Sequence, residues 1–194
     1  MKGVQGGSRD ERSEAAADPL AHEAVRRRRD ASEEMNEIRG SFDARGRRFA
    51  VVASDFNQVV VGKLVEGAVA CFRTHGISDD DLVVAWVPGA FELPLVAKEL
   101  AQSDRYDAVV CLGAVIRGET AHFDLVAEQA ASGIQHVALE TGVPVVFGVL
   151  ATDNMEQALD RAGGKHGNKG WDAAMAAMQM SSLLDEISGR MKEP

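Results

Sequence analysis

The sequence predicts an α/β protein in which four strands form one parallel sheet with helices on both faces, a three-layer αβα arrangement. Three observations carry this. Four short, unbroken apolar runs (FAVVA, LVVAWV, AVVCL and VVFGVL) have the look of strands buried on both faces. The stretches between them carry apolar residues at helical spacing. Strands and helices therefore alternate as βαβαβαβαα, and right-handed crossovers make such a sheet parallel.

Taken in order, Phe49–Ala53 is the first strand, broken by Ser54-Asp55-Phe56-Asn57. Val61, Leu64, Val65, Ala68, Val69 and Phe72 then mark a helix, with Gly76 placed to follow its C-cap. Leu82–Val87 is the second strand, stopped by Pro88-Gly89, and a helix runs through Leu95, Val96 and Leu100. Ala108–Leu112 is the third strand, ending at Gly113, with a polar loop at Arg117–Ala121. The next helix begins near His122. Its stripe includes Phe123, Val126, Ala130, Ile134 and Val137, and Gly142 and Pro144 end it. Val145–Leu150 is the fourth strand, and helices over Met155–Ala162 and Trp171–Ile187 close the chain. The last carries Met175 and Met178 in a stripe that suits a core or a subunit contact. Gly163–Gly170 between these helices misses the G-x-x-x-x-G-K-[ST] spacing and follows no strand, so it reads as a flexible connection.

The alternation begins at Arg48. Residues 1–40 are rich in charge, Ala, Gly and Ser and almost lack large apolar residues, so they are expected to be a disordered tail, with residues 41–194 as the folded domain. Arg26–Arg29 lies among acidic neighbours and reads as a solvated charge run. Phe42 and Phe49 are candidates to anchor an edge strand on a neighbouring sheet. The formal charge of −9 is unevenly spread: residues 1–48 carry +1 and residues 49–194 carry −10. So acidic a body excludes nucleic-acid and anionic-membrane surfaces as its business. Cys71 and Cys111 sit in apolar runs without zinc-ligand partners, and neither a signal-peptide core nor a membrane span is evident. A cytoplasmic protein is expected.

In parallel sheets ligands bind beyond the carboxyl ends of the strands. That directs attention to Ser54–Asn57, Pro88–Glu92, Ala114–His122 and Leu150–Asn154. The run from Arg117 to His122 passes from a strand end into a helix start, where backbone N–H groups favour an anion such as phosphate. Gly118 permits a tight turn and Thr120 offers a hydroxyl, although an ordinary capped helix start would use the same residues. His122 is placed to act as a general acid or base, though a lone histidine is more often surface or core. Arg161, Lys165 and Lys169 gather three of the acidic body's ten cations, and Arg is the natural phosphate clamp. Phe56 lies in a polar loop, where it either folds back over strand ends or stacks on a planar ring. Glu92 alone says little.

Five blocks in order, SDFN, WVPGAFELP, GAVIRGETAHFD, TGVPVVFGVLATDN and RAGGKHGNKGWDAA, resemble the lumazine synthase family over about residues 48–188. The resemblance implies a flavodoxin-like fold and a condensation of 5-amino-6-(D-ribitylamino)uracil with (3S)-3,4-dihydroxy-2-butanone 4-phosphate. The product would be 6,7-dimethyl-8-ribityllumazine, the penultimate intermediate of riboflavin biosynthesis, formed without cofactor or metal. It implies Phe56 stacked on the pyrimidine, Ala90, Phe91 and Glu92 contacting that substrate, and backbone groups of Ala114, Val115 and Ile116 offered to it. Glu119 and Thr120 would cradle the phosphate and His122 would move protons. Phe147 and Arg161 would come from the neighbouring subunit, Arg161 pairing with the phosphate and Lys169 supporting it. It further implies a homo-oligomer, at least a pentamer with sites between subunits, with riboflavin synthase a candidate partner. The short link Ala162–Gly170 resembles members that close into sixty-subunit shells. The charged tail is no part of the family pattern. Two other readings stay open: a catalytically silent shell protein of the same fold, and a flavodoxin-like flavin-binding or receiver module. A receiver would want clustered acids after strand one, where only Asp55 stands, and a phospho-acceptor Asp ending strand three.

Overall fold

The computed structural model describes residues 37–189. Of the expected tail, residues 1–36 lie outside the described residues. The four apolar runs form one parallel sheet, β1 (Phe49–Ser54), β2 (Leu82–Val87), β3 (Ala108–Ile116) and β4 (Val145–Thr152), in the order β2-β1-β3-β4. Five helices flank it: α1 (Gln58–Thr74), α2 (Leu93–Ala101), α3 (His122–Thr141), α4 (Met155–Arg161) and α5 (Lys169–Ile187). Single 3₁₀ turns at Asp79–Asp81 and Ala90–Glu92 precede β2 and α2.

Strand alternation sorts the core onto two faces. Phe49, Val51, Ala53, Val110 and Leu112 point to α1, α4 and α5, and Phe49 stacks on Phe72 with ring centroids 4.6 Å apart. Ala50, Val52, Val109 and Cys111 point the other way, to α2 and α3. Phe49 is fully buried by this packing, so it does not serve as the expected anchor on a neighbouring sheet. Gly76 and Gly142 follow helix ends at φ 93° and 70°, left-handed values that suit glycine. Ahead of β1, Ser41 N donates to Ser182 Oγ at 3.0 Å, and Arg47 pairs with Asp185 at 2.6 Å, so this segment runs along α5.

Two expectations need correction. The third strand does not end at Gly113 but continues to Ile116, paired residue for residue with Gly148–Thr152 of β4 beyond Cys111. Gly113 is present for space: a Cβ there would meet Ser54, Leu93 and Val149 side chains at 3.2–3.4 Å. The connection after α4 is not merely flexible. Ala162–Gly164 (β5) and Gly167–Asn168 (β6) pair as a small antiparallel ribbon. Asn168 then caps α5, accepting from Gly170 N and Trp171 N, while its Nδ2 donates to Lys63 O at 2.8 Å. Among the described residues no helix is long and apolar enough to cross a membrane.

Gly170 carries a testable consequence. It packs so closely on the Leu64 carbonyl of α1 that a Cβ would collide with backbone. Gly170→Ala should therefore destabilise the fold by about 1–3 kcal/mol despite alanine's better helix propensity, a loss that urea unfolding at fixed protein concentration would measure.

Candidate active site

The order in which strands are added reverses between β1 and β3, since the chain goes from β1 outward to β2 and then crosses back to β3, all strands staying parallel. A crevice opens beyond the carboxyl ends of two such strands. The ladder between them stops at Ala53 and Leu112, whereas β3 runs on beside β4 to Ile116. Ala114–Ile116 thus have a strand partner on one side only; the Ala114 carbonyl also accepts from the Asn57 side chain, and all three residues line a cavity of ≈ 350 Å³.

The first wall is the turn after β1. Asp55 N donates to Val87 O at 2.8 Å and Phe56 N to Pro88 O at 3.1 Å, so the turn is tied to the end of β2. Phe56 is 71% exposed, and its ring borders the cavity. The second wall is the 3₁₀ turn of Ala90, Phe91 and Glu92, all at the cavity, with Gly89 beside Glu92 Oε2. The third is β3 itself, through Ala114, Val115 and Ile116. Thr120 and His122 close it at the start of α3. No side chain caps that helix at Ala121, which leaves its first N–H groups to another acceptor.

The remaining sequence candidates lie elsewhere in the single chain. Glu119 is exposed in the same loop but does not line the cavity. Phe147 is 46% exposed on the edge strand β4. Arg161 ends α4 and donates to Gln157 O at 3.1 Å, and Lys169 pairs with Asp172 at 2.8 Å at the start of α5. The Arg161–Lys165–Lys169 cluster therefore stands on the α4–ribbon–α5 stretch, away from the cavity walls. Gly89, Gly118, Phe123 and Val126 also line the cavity, and none was singled out from sequence as ligand-facing. Phe123 and Val126 were legible only as part of a core stripe, whose upper end turns out to meet the cavity.

The cavity wall holds one carboxylate, Glu92, one imidazole, His122, and no lysine or arginine. The loop's own cation is committed. Arg117 donates to Asp153 at 3.2 Å and Asp124 at 3.3 Å, with its guanidinium 4.0 Å above the Phe123 ring. Those hydrogen bonds, to Asp124 first and then Asp153, raise its pKa further. Burial pushes the Cys71 thiol up to about 11 and Cys111 to about 12, so both are inert packing groups. Among the described residues no three His, Cys, Asp or Glu side chains gather as a metal site.

Comparison with known proteins gives consistent results. A family model described as 6,7-dimethyl-8-ribityllumazine synthase matches residues 46–185. Two curated proteins of that description, from strains of Clostridium kluyveri, are each 50% identical over 153 residues, covering 79% of this chain and 99% of their own length.

Arg117 braces the loop from both ends, to α3 and to the β4–α4 turn. Arg117→Met would remove two exposed ion pairs and a ring contact. Amide exchange across residues 118–122 should then quicken by roughly 5- to 30-fold, while peptides from β1 and β3 exchange as before.

Proposed function

This chain belongs to the 6,7-dimethyl-8-ribityllumazine synthase family, and from that premise we propose how its own residues share the reaction. The activity is the condensation of 5-amino-6-(D-ribitylamino)uracil with (3S)-3,4-dihydroxy-2-butanone 4-phosphate in riboflavin biosynthesis. The amine adds to the ketone and water leaves to give an imine. Phosphate is eliminated, and the ring closes with loss of water.

The observation that carries the assignment of roles is the cavity's makeup: a flat aromatic wall, a half-paired strand edge, one carboxylate, and an uncapped helix start. Phe56 stacks on the pyrimidine. Backbone groups of Ala114–Ile116 that neither β4 nor Asn57 engages hydrogen-bond the ring's polar atoms, and Ala90 and Phe91 shape the slot. Glu92 accepts hydrogen bonds from ribityl hydroxyls. Backbone N–H groups at Glu119 and Thr120, with the Thr120 hydroxyl, cradle the phosphate at the start of α3. His122 moves protons between the amine, the carbinol and the leaving phosphate.

Among the described residues, no lysine or arginine of the same chain lines the wall against which a phosphate dianion would sit. Arg161 of an adjacent subunit is the proposed clamp, with Lys169 in support and Phe147 closing the pyrimidine slot. Among the described residues Arg161 donates one hydrogen bond, to Gln157 O, which leaves most of its five N–H donors for an anion. The family is one of oligomers. The finer proposal is a pentamer, with closure into a sixty-subunit shell through the short ribbon link and riboflavin synthase as a partner. Exposed Leu95, Leu125 and Leu139 favour subunit contact. The proposal also keeps residues 41–194 as the catalytic domain of a cytoplasmic enzyme.

Mixing both substrates with the protein and following lumazine absorbance tests the whole reading; no product would sink it. Arg161→Ala should raise the KM for the butanone phosphate by about 10- to 100-fold while that for the pyrimidine changes little, as expected for one lost charge-assisted contact. Equal effects on both would mark Arg161 as structural. His122→Ala should slow turnover by up to ~10²–10⁴-fold with assembly intact, and full activity at every pH would remove it from the chemistry. A chain beginning at Ser41 should assemble and turn over like the full one. Light scattering would read five or sixty times the 20.7 kDa chain mass.

A further inference from the structure

We propose that Asn57 is a positioning residue: it aims the Phe56 ring by tying the turn after β1 to the end of β3. The proposal rests on the reading that Phe56 stacks on the pyrimidine substrate. Asn57 itself does not line the cavity, so its action runs through its neighbour.

Asn57 departs twice from what its place in the chain calls for. As the N-cap of α1 it would ordinarily be extended and accept a hydrogen bond from its own helix. Instead its backbone is left-handed, at φ 61° and ψ 40°, and its side chain makes no capping bond. Its carbonyl still starts the helix, accepting from Val60 N at 2.9 Å and Val61 N at 3.1 Å. The side chain is spent elsewhere: Nδ2 donates to Ala114 O at 2.8 Å, 57 residues along the chain. A left-handed non-glycine residue persists where surrounding structure holds it, and such sites cluster where geometry serves function.

The consequence falls on Phe56. Its N–H is tied to Pro88 O at the end of β2, and the residue after it is tied to Ala114 O in β3. The backbone that projects the ring is therefore held from both sides. The ring itself is largely exposed and has no aromatic partner among the described residues, so that backbone sets its aim. Only an amide N–H₂ serves at this site, since an aspartate would set oxygen against the carbonyl oxygen.

The test compares Asn57→Ala, Asn57→Gly, Phe56→Ala and the Phe56→Ala/Asn57→Ala pair in the assembled enzyme, with both KM values measured. Glycine adopts the left-handed turn freely, so Asn57→Gly loses the bond without straining the backbone. Circular dichroism and thermal unfolding check that each variant folds. Both Asn57 variants should raise the pyrimidine KM by about tenfold and move the butanone phosphate KM by less than about twofold. In the Phe56→Ala background, Asn57→Ala should add less than about twofold, because the ring it aims is gone. Wild-type kinetics in Asn57→Gly, equal shifts in both KM values, or an undiminished effect without the ring would each overturn the positioning role. If Phe56→Ala raises the pyrimidine KM but Asn57→Gly does not, the stacking reading stands and this proposal falls. If Phe56→Ala leaves that KM unchanged, the stacking reading falls and takes the proposal with it.

Discussion

The pairing of β1 with β3 is the constraint on which the rest of the molecule depends. Both strands are buried on both faces, so a slip of one residue would exchange the sets facing α1 and α5 with those facing α2 and α3. Phe49 would leave its stack on Phe72, and smaller residues would replace it. Packing on two sides thus fixes the register at Phe49 opposite Ala108 through Ala53 opposite Leu112. That register also sets how far β3 overshoots β1. The overshoot, Ala114–Ile116, is a strand with a partner on one edge and a cavity on the other. Binding groups are available there because the ladder ends there.

A second constraint is electrostatic. The body is strongly acidic, and the described cavity wall offers an anion helix-end N–H groups, the Thr120 hydroxyl and the His122 imidazole, but no lysine or arginine. Arg117, the cation closest in sequence, is held by two aspartates and a ring. Turning it toward a ligand would break all three contacts at once. It is better suited to hold the loop's shape than to meet charge. With no lysine or arginine on the cavity wall among the described residues, a cation for a phosphorylated substrate is what the proposed shared site would add. Arg161 suits that role, because its end of α4 leaves most of its donor fork uncommitted.

Much of this was legible in the sequence, for reasons that particular residues make plain. The apolar runs at Phe49 and Ala108 announced strands because β1 and β3 are buried on both faces; the runs at Leu82 and Val145 look the same in one dimension but form the two edge strands, where β2 is mostly half-buried with Trp86 exposed and β4 leaves Phe147 exposed. Gly76 and Gly142 marked helix ends because left-handed positions there suit glycine. Gly113 misled, because a glycine chosen for close packing looks the same in one dimension as one chosen to stop a strand. The ribbon at Ala162–Asn168 was hidden since its glycines lack the apolar alternation that signals a strand, and what orders it is its own pairing, His166 N donating to Asp160 O, and Asn168 gripping Lys63 O while capping α5. Phe56 was visible as an aromatic without a core. Asn57 beside it was not: its significance is a bond to a carbonyl 57 residues away and a backbone angle, and neither leaves a local trace.

The chemistry explains why so spare a site can suffice. An amine and a ketone held in contact already gain the large advantage of an intramolecular reaction, provided their approach is fixed to within a fraction of an ångström. Positioning then matters more than strongly activated groups. The cavity is built accordingly, with strand edge, helix end and aromatic wall in place of clustered ionisable side chains. Such a design puts its demands on the turns that hold the walls apart. The bracing contacts of Arg117 and the left-handed turn at Asn57 lie just outside the cavity, where they set its width without occupying it. Loosening either turn would leave every ligand-facing side chain present and still spoil the approach, since a misplacement of about 1 Å can cost 10²-fold in rate.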